Sequence, residues 1–276
     1  MHILLLTPNF PPEVNASASR QFEHCRRWVS SGHAVTVITG APNWPAGRVF
    51  DGYRNPWKSE EQIDGIRVLR VWTLISPNNG FLLRILSFVS YMLRATLTAC
   101  FVRDVDVVVA TSPHFFSGLA GMLTRYLTGR RFVLEIRDIW PESIVAVGAM
   151  KRSRMIRILE WLERRMYASA DHIVTVGNGY KQQLVERDVS ADRISVVPNG
   201  IDTSRHQVLE SRETVRQRYG AADRHVCAYV GTIGMAHGLD VVLQAAEQLR
   251  SQQRDDVVFW MVGDGAERER LQRAAS

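Results

Sequence analysis

Continuous apolar stretches alternate with helical patterns along most of the chain, and this alternation limits the possible fold more than any other feature. Helical patterns at residues 20–30 and 180–187 are examples of the intervening segments. Strands that are apolar on both sides are typical of a parallel sheet covered by helices on both faces. The sequence therefore predicts an α/β fold. The strand candidates are residues 3–7, 34–39, 66–72, 105–110, 131–136, 172–176, 194–197, 225–231 and 257–261.

A loss of hydrophobicity at residues 203–224 suggests a linker between two domains. About seven strand candidates precede it, and a second strand–helix series begins at His225. We therefore expect two Rossmann-like domains with parallel sheets, at residues 1–202 and 203–276. The second contains only two strand candidates before Ser276, so we expect it to be incomplete and the chain to be truncated.

Composition and charge exclude several classes of protein. A chain of 276 residues with 46% hydrophobic and 22% charged residues is typical of a soluble globular protein. Residues 1–203 hold 24 Lys and Arg against 18 Asp and Glu, which suits either an anionic surface or a solvated basic face. No pattern resembles a nucleic-acid reader. Three widely spaced cysteines and a short apolar N-terminus predict a reduced, cytoplasmic protein without a signal peptide.

Two segments raise the question of a membrane. Residues 81–102 are strongly apolar but contain Arg84 and Arg94, which predicts an amphipathic helix packed on the sheet or touching a membrane surface. A second helical segment is basic and is either a solvated face or a contact for lipid phosphates. Its cations are Lys151, Arg152, Arg154, Arg157, Arg164 and Arg165.

Two glycine turns follow the last two strand candidates. Residues 231–234 read Gly-Thr-Ile-Gly, and residues 262–265 read Val-Gly-Asp-Gly. Without a Cβ, backbone N–H groups can approach a phosphate closely, although a tight turn alone would also explain the glycines. Paired turns at the carboxyl ends of adjacent strands are what a nucleotide crevice requires. The dinucleotide fingerprint Gly-x-Gly-x-x-Gly is absent after the first strand, which argues against NAD.

Seven segments in order resemble the glycosyltransferases of family 4, which have the GT-B fold. The Pro-Pro-Glu and Arg-Asp-Ile-Trp-Pro-Glu pieces are similar to the bacterial branch that builds O-antigen, capsule and colanic-acid-type polysaccharides, including N-acetylfucosamine transferases. The segments are residues 9–14, 32–39, 137–143, 170–176, 197–202, 229–234 and 262–265.

The resemblance implies a reaction. The first domain would bind the acceptor, and the second would bind a nucleoside-diphosphate sugar, with UDP as the expected nucleotide. A hexosyl or N-acetylhexosaminyl group would pass to a lipid-linked glycan at the cytoplasmic face of the inner membrane. The resemblance also implies retention of configuration, with neither a metal nor a cofactor.

The resemblance also implies site residues. Catalytic roles fall to His114 and Asp138, and acceptor binding falls to Glu13, Trp140 and Glu142. Each of these roles has an ordinary alternative. His114 could simply be packed in the loop, and the carboxylates of Glu13, Asp138 and Glu142 could be helix caps or loop charges. Asn199 and Gly200 would form the hinge, because both residue types tolerate positive φ. The donor would bind at Gly231, Thr232, Gly234, His237, Gly238, Gly263, Asp264 and Gly265.

This chain departs from the family pattern at two donor positions. Thr232 stands where many members have Arg, and His237 stands where they have Lys. Two alternative functions therefore stay open: a nucleotide-sugar epimerase of the same fold, and a non-catalytic truncated remnant. The tryptophans in acceptor-side loops, Trp44, Trp57 and Trp140, favour a glycan acceptor over the epimerase.

Overall fold

The computed structural model describes residues 1–75, 81–112, 114–140, 154–200, 202–203 and 209–275. It divides into two compact units, Met1–Gly200 and Ile201–Ser276, called here the first and the second unit.

The first unit is built on an eight-stranded sheet of order β3-β4-β2-β1-β5-β6-β7-β8. Every neighbouring pair is parallel except β3 with β4. The strand order reverses at β1, which lies between β2 and β5, so the topological switch point is at the carboxyl ends of β1 and β5. The strands are β1 His2–Leu6, β2 Ala34–Thr39, β3 Lys58–Ile63, β4 Ile66–Val71, β5 Val107–Thr111, β6 Arg131–Ile136, β7 His172–Thr175 and β8 Ile194–Val196.

Helices cover both faces of this sheet. Because side chains alternate along a strand, Leu5 packs with α1 while Leu4 and Leu6 pack with α2 and α3 on the other face. The buried residues Met166 and Leu184 place α4 and α5 on the same face as α3. The helices are α1 Ala16–Ser30, α2 Phe81–Phe101, α3 Phe115–Thr128, α4 Arg154–Ser169 and α5 Asn178–Val185.

Two glycines allow α3 to lie close to its neighbours. A Cβ on Gly121 would lie 2.4 Å from the Phe132 ring, and one on Gly118 would lie 2.3 Å from the Met166 sulfur. Helix α2 packs beside α3, and its buried Tyr91 hydroxyl donates to the Ile38 carbonyl at 2.9 Å. Within the described residues, no helix is long and apolar enough to cross a bilayer.

The prediction of an α/β fold with a parallel sheet is confirmed, but the expected count of about seven strands missed β3. This strand reads Lys-Ser-Glu-Glu-Gln-Ile, lies at the sheet edge and pairs antiparallel with β4. An edge strand pairs with a neighbour along one edge only, and alternate side chains of β3 are exposed, so it needs no continuous apolar run. The signal that could have found it is the turn at Asp64 and Gly65, whose φ values are +48° and +78°.

The second unit is small. Strand β9 His225–Val230 pairs parallel with β10 Val257–Val262, and the described helices are α6 Arg212–Arg218, α7 Asp240–Ser251 and α8 Arg268–Ala275. Its buried apolar cluster consists of Ile233, Leu239 and Leu271. Few buried apolar residues therefore hold in place the two loops that follow β9 and β10.

Candidate active site

The loop between β1 and α1 holds Glu13 in a buried position. Only 3% of Glu13 is exposed, and its Oε1 accepts hydrogen bonds from the backbone N–H groups of Asn43 and Trp44, both at 2.9 Å. Burial raises the pKa of this carboxyl above its ordinary value even though these bonds and Arg70 oppose the shift. The second oxygen, Oε2, is buried and has no protein partner. Glu13 thus connects the loop after β1 to the loop after β2 through Oε1, while Oε2 remains able to accept a hydrogen bond.

Unsatisfied donors surround the first turn of α1. The Asn15 side chain caps the helix by accepting from the Ala18 N–H at 2.9 Å, which leaves its Nδ2 without a partner. The Ser17 hydroxyl and two guanidinium nitrogens of Arg137, Nε and Nη1, are also buried without a protein partner. A helix N-terminus carries partial positive charge. Asn15, Ser17 and Arg137 therefore suit an oxyanion.

His114 is the N-cap residue of α3 and follows the carboxyl end of β5. Its ring meets the Phe88 ring edge-on at a centroid distance of 5.0 Å. Burial lowers the pKa of His114 to about 4, so the imidazole is neutral near pH 7. A neutral His can donate or accept a hydrogen bond but cannot supply a positive charge. The ring therefore packs against α2, and the side chain makes no capping hydrogen bond.

The segment after β6 carries Asp138 and Trp140. The Ser112 hydroxyl accepts from the Arg137 N–H and donates to the Asp138 carbonyl, both at 3.2 Å, so it joins the ends of β5 and β6. The Trp140 ring packs on Phe115 at 4.7 Å and is partly buried against the core. Adjacent strand ends thus bring His114 and Asp138 to one edge of the sheet. Glu142 lies outside the described residues.

A buried ionic network below this edge was missed by sequence reasoning. The Glu135 carboxylate accepts from Arg20 at 2.9 Å, from the Thr111 hydroxyl at 2.7 Å and from the Gln21 amide. Despite its burial, these donors and the Arg20 charge hold the pKa of Glu135 below its ordinary value. The available signal was a Glu among the apolar residues that follow Arg131 in this strand, Arg-Phe-Val-Leu-Glu-Ile, because a buried charge requires a partner.

Arg20 extends this network to the last residues of the first unit. Its guanidinium donates to the carbonyls of Val197 and Pro198, both at 2.9 Å, and to the Asn199 side-chain oxygen at 3.1 Å. Neither Asn199 nor Gly200 has the positive φ that the sequence reasoning invoked for a hinge. The conformation of this segment is held by Arg20 instead, and the hinge role remains a proposal.

In the second unit, the two glycine turns lie side by side at the carboxyl ends of β9 and β10. The Gly231 N–H donates to the Val262 carbonyl at 3.0 Å, and the Ile233 N–H donates to the Asp264 carbonyl at 2.8 Å. A Cβ on Gly263 would lie 1.8 Å from the Gly231 oxygen, and one on Gly265 would lie 2.2 Å from the Ile233 oxygen. Both glycines are therefore required by backbone-to-backbone packing, in addition to any contact with a ligand.

The remaining predicted donor residues follow the first of these turns. Gly234 caps a short 3-10 turn at Met235–His237, and Gly238 ends it in the left-handed region with a φ of +57°. The His237 ring lies 6.2 Å from the Tyr229 ring, and the Tyr229 hydroxyl donates to the Thr232 carbonyl at 2.7 Å. Asp264 accepts from the Gly265 N–H at 2.8 Å. The structure thus groups all the predicted donor residues in two adjoining loops.

The chain matches known families along most of its length. Residues 17–200 match the glycosyl transferase 4-like domain, and residues 211–276 match the glycosyl transferases group 1. The chain therefore belongs to the glycosyltransferase 4-like family. This confirms the broad resemblance inferred from the seven segments; the N-acetylfucosamine donor and the truncation remain untested.

Relatives share modest identity with the chain. It is 24% identical over 283 residues to a protein of Escherichia coli (strain K12) that carries the name of a colanic acid biosynthesis glycosyl transferase, WcaI. It is 25% identical over 278 residues to a GDP-mannose-dependent α-(1-6)-phosphatidylinositol monomannoside mannosyltransferase of Mycolicibacterium smegmatis. The matches cover 100% and 99% of this chain, but only 69% and 64% of those relatives.

Solved structures confirm the GT-B fold. The Anabaena protein HepE, crystallised with UDP and glucose, matches with a TM-score of 0.64 at 13% identity, over 99% of this chain and 64% of HepE. The lipopolysaccharide outer core galactosyltransferase WaaB matches with a TM-score of 0.54 at 14% identity, over 100% of this chain and 64% of WaaB. At such identities, the likeness shows the fold alone.

Proposed function

We propose that the protein transfers a hexosyl or N-acetylhexosaminyl group from a UDP-linked sugar to a lipid-linked glycan in surface polysaccharide biosynthesis. The observation that carries this proposal is the pair of interlocked glycine turns at Gly231 and Gly263, which lie side by side at the carboxyl ends of two parallel strands. The name of WcaI refers to colanic acid biosynthesis, which supports the proposed pathway. HepE was crystallised with UDP, which supports the proposed nucleotide.

The donor diphosphate would be held at the glycine turns. Backbone amides in a glycine loop and the following helix N-terminus stabilise negative charge without a metal. Thr232 and His237 add no permanent positive charge in this chain, so backbone groups would carry most of the stabilisation. This weak complement of cations is the reason to expect modest affinity for UDP.

The acceptor side would use the carboxyl edge of the first unit. Glu13 offers one unused carboxylate oxygen, and Trp140 offers a partly buried ring at the same edge. His114, neutral near pH 7, would hydrogen-bond the reacting sugar, while Asp138 would polarise the acceptor hydroxyl. Glu142 would join the acceptor contacts. Asn199 and Gly200 would serve as the hinge, the glycosyl transfer would retain configuration, and the protein would work at the cytoplasmic membrane face.

Calorimetric titration of residues 1–276 with UDP and with UDP-N-acetylhexosamines tests the donor site. We expect saturable binding, lost in Gly263→Ala because the new Cβ would separate the two turns. Thr232→Arg should tighten binding about tenfold, since an added charged hydrogen bond contributes about 1.5–3 kcal/mol before the cost of ordering the side chain. Val241→Ser, at an exposed position on α7, is the control and should bind as the parent chain does.

Three outcomes would contradict the proposal. Absence of binding by a folded chain, with no gain from Thr232→Arg, would favour the non-catalytic remnant. Conversion of UDP-N-acetylglucosamine to its 2-epimer without an acceptor would favour the epimerase. Transfer with inverted configuration would leave the donor site in place and overturn the proposed stereochemistry.

A further inference from the structure

Helix α4 presents an uncovered apolar stripe on its outer side. Met155, Ile158 and Trp161 recur at intervals of three residues and are 56%, 53% and 50% exposed. The opposite side of the helix is buried through residues such as Ile156 and Met166, so the stripe is not needed to hold α4 on the sheet. A contiguous patch of large apolar residues at a protein surface is typical of a contact site, whereas single exposed apolar residues are ordinary.

Positive charge borders this stripe. Arg154 and Arg157 line a groove of about 310 Å³ together with Ile158 and Trp161. The Arg165 guanidinium lies 5.4 Å from the centre of the Trp161 ring. Of the two acids of α4, Glu163 binds Tyr167 and Arg187 inside the unit, and the helical spacing of Glu160 places it off the stripe. The α4 stripe is therefore apolar and cationic at once.

Helix α2 carries a second stripe of the same kind. Leu86, Leu93, Leu97 and Phe101 are 44–78% exposed, and their spacing of seven, four and four residues places them on one side of the helix. Beside this stripe the Arg94 guanidinium lies 3.7 Å from the centre of the ring of Trp57, which is itself 67% exposed; the exposed Arg103 follows the helix. Arg94 is thus held at the border of the α2 stripe.

Both stripes lie on one side of the first unit. Helices α2 and α4 each contact α3, and all three pack on the sheet face that bears Leu4, Leu6 and Leu134. Helix α1 covers the other face. A flat partner could therefore meet the α2 and α4 stripes together.

We propose that this side of the first unit docks on a membrane surface containing anionic lipids. Large apolar side chains, a tryptophan and flanking arginines are the combination that enters the headgroup boundary, where the rings and aliphatic parts are buried and the guanidinium groups meet phosphates. A second copy of the chain is the poorer occupant, because facing stripes would bring arginines against arginines. Docking would bring the protein to the membrane that holds the lipid-linked acceptor of the proposed function. The docking itself does not depend on catalysis.

Co-sedimentation of the full chain with vesicles tests this surface without sugar nucleotide or acceptor. We expect binding to vesicles of phosphatidylglycerol and phosphatidylcholine, weakened at 0.5 M NaCl, and little binding to phosphatidylcholine alone. Each basic residue near an anionic surface contributes about fivefold in affinity. Reversing Arg154 and Arg157 to Glu together should therefore reduce binding at least about 25-fold. Ile158→Ser with Trp161→Ser should also release the protein.

Matched controls lie away from the two stripes. Arg27→Glu reverses an exposed charge on α1, and Val241→Ser removes an exposed apolar side chain from α7; neither should change vesicle binding. Circular dichroism and light scattering check that each variant is folded and monomeric. The proposal fails if the parent chain does not bind anionic vesicles, or if the control variants lose as much binding as the stripe variants. It also fails if the parent chain is a dimer and the stripe variants are monomers. Because the vesicles hold no acceptor, loss of docking and loss of donor binding are separate results.

Discussion

Arg20 and Glu135 form the most deeply buried ion pair described in the chain, with side chains 5% and 6% exposed. Removing one partner of such a pair leaves an uncompensated buried charge, which typically costs 3–5 kcal/mol. Arg20 also holds Val197, Pro198 and Asn199 through its other nitrogens. The residue therefore supports both the sheet edge and the end of the first unit.

We predict that Arg20→Gln lowers the free energy of unfolding of the first unit by about 3–5 kcal/mol. The matched control is Arg67→Gln, which breaks the exposed pair with Glu60 and should cost no more than about 1 kcal/mol. Urea unfolding followed by circular dichroism measures both. Equal losses in the two variants would show that the Arg20 network adds nothing beyond a surface pair.

His114 provides a test that depends on pH. Burial lowers its pKa to about 4, whereas an unfolded His titrates near 6.5. As pH falls from 6.5 to 4, the unfolded chain takes up this proton and the folded chain does not, so the folded state loses stability in that window. We expect the His114 ring signal in an NMR titration to have its midpoint near pH 4. A midpoint near 6.5 would show a hydrated ring and would permit a cationic role.

At the scale of the elements, the β3–β4 hairpin depends on its turn. Gly65 has a φ of +78°, and a Cβ there would lie 3.0 Å from Val29. We predict that Gly65→Ala costs about 1–2 kcal/mol, the usual strain of a left-handed L-residue. Gly179→Ala is the control: Gly179 lies inside α5 with open space at its Cβ, so the substitution should stabilise by about 0.5–1 kcal/mol. Opposite signs in thermal unfolding are the expected result.

At the scale of the whole molecule, the two units differ in how much core they hold. The first unit buries two apolar clusters that cover both faces of eight strands, whereas the cluster of the second unit has three buried members. Local opening is easiest where few apolar contacts oppose it. We predict that the amides of β9 and β10 exchange with solvent at least about tenfold faster than those of β1 and β5. Hydrogen exchange measured by mass spectrometry gives this comparison, and equal protection would contradict it.

Local patterns were enough to predict most of the first sheet. Strands β2 and β6 have the bounds expected from their apolar runs, because strands buried on both faces must be apolar throughout. The ordered motifs were likewise enough to predict the glycosyltransferase family. The polar edge strand β3 was missed, since half of its surface needs no burial. Helix α1 was predicted to begin at Arg20 but begins at Ala16, because Asn15 caps it.

The sequence by itself determined the α/β class, the order of the strands along the chain, and the glycines at the ends of β9 and β10. These features depend on periodicity and backbone freedom, which are local properties of neighbouring residues. Only the tertiary structure decided that Arg20 binds Glu135, 115 residues away, and that Gly263 must make room for the Gly231 carbonyl. It also decided that the α2 and α4 stripes share one side of the first unit. Such pairings arise because the sheet brings distant strand ends and helix faces together, and no local pattern contains that information.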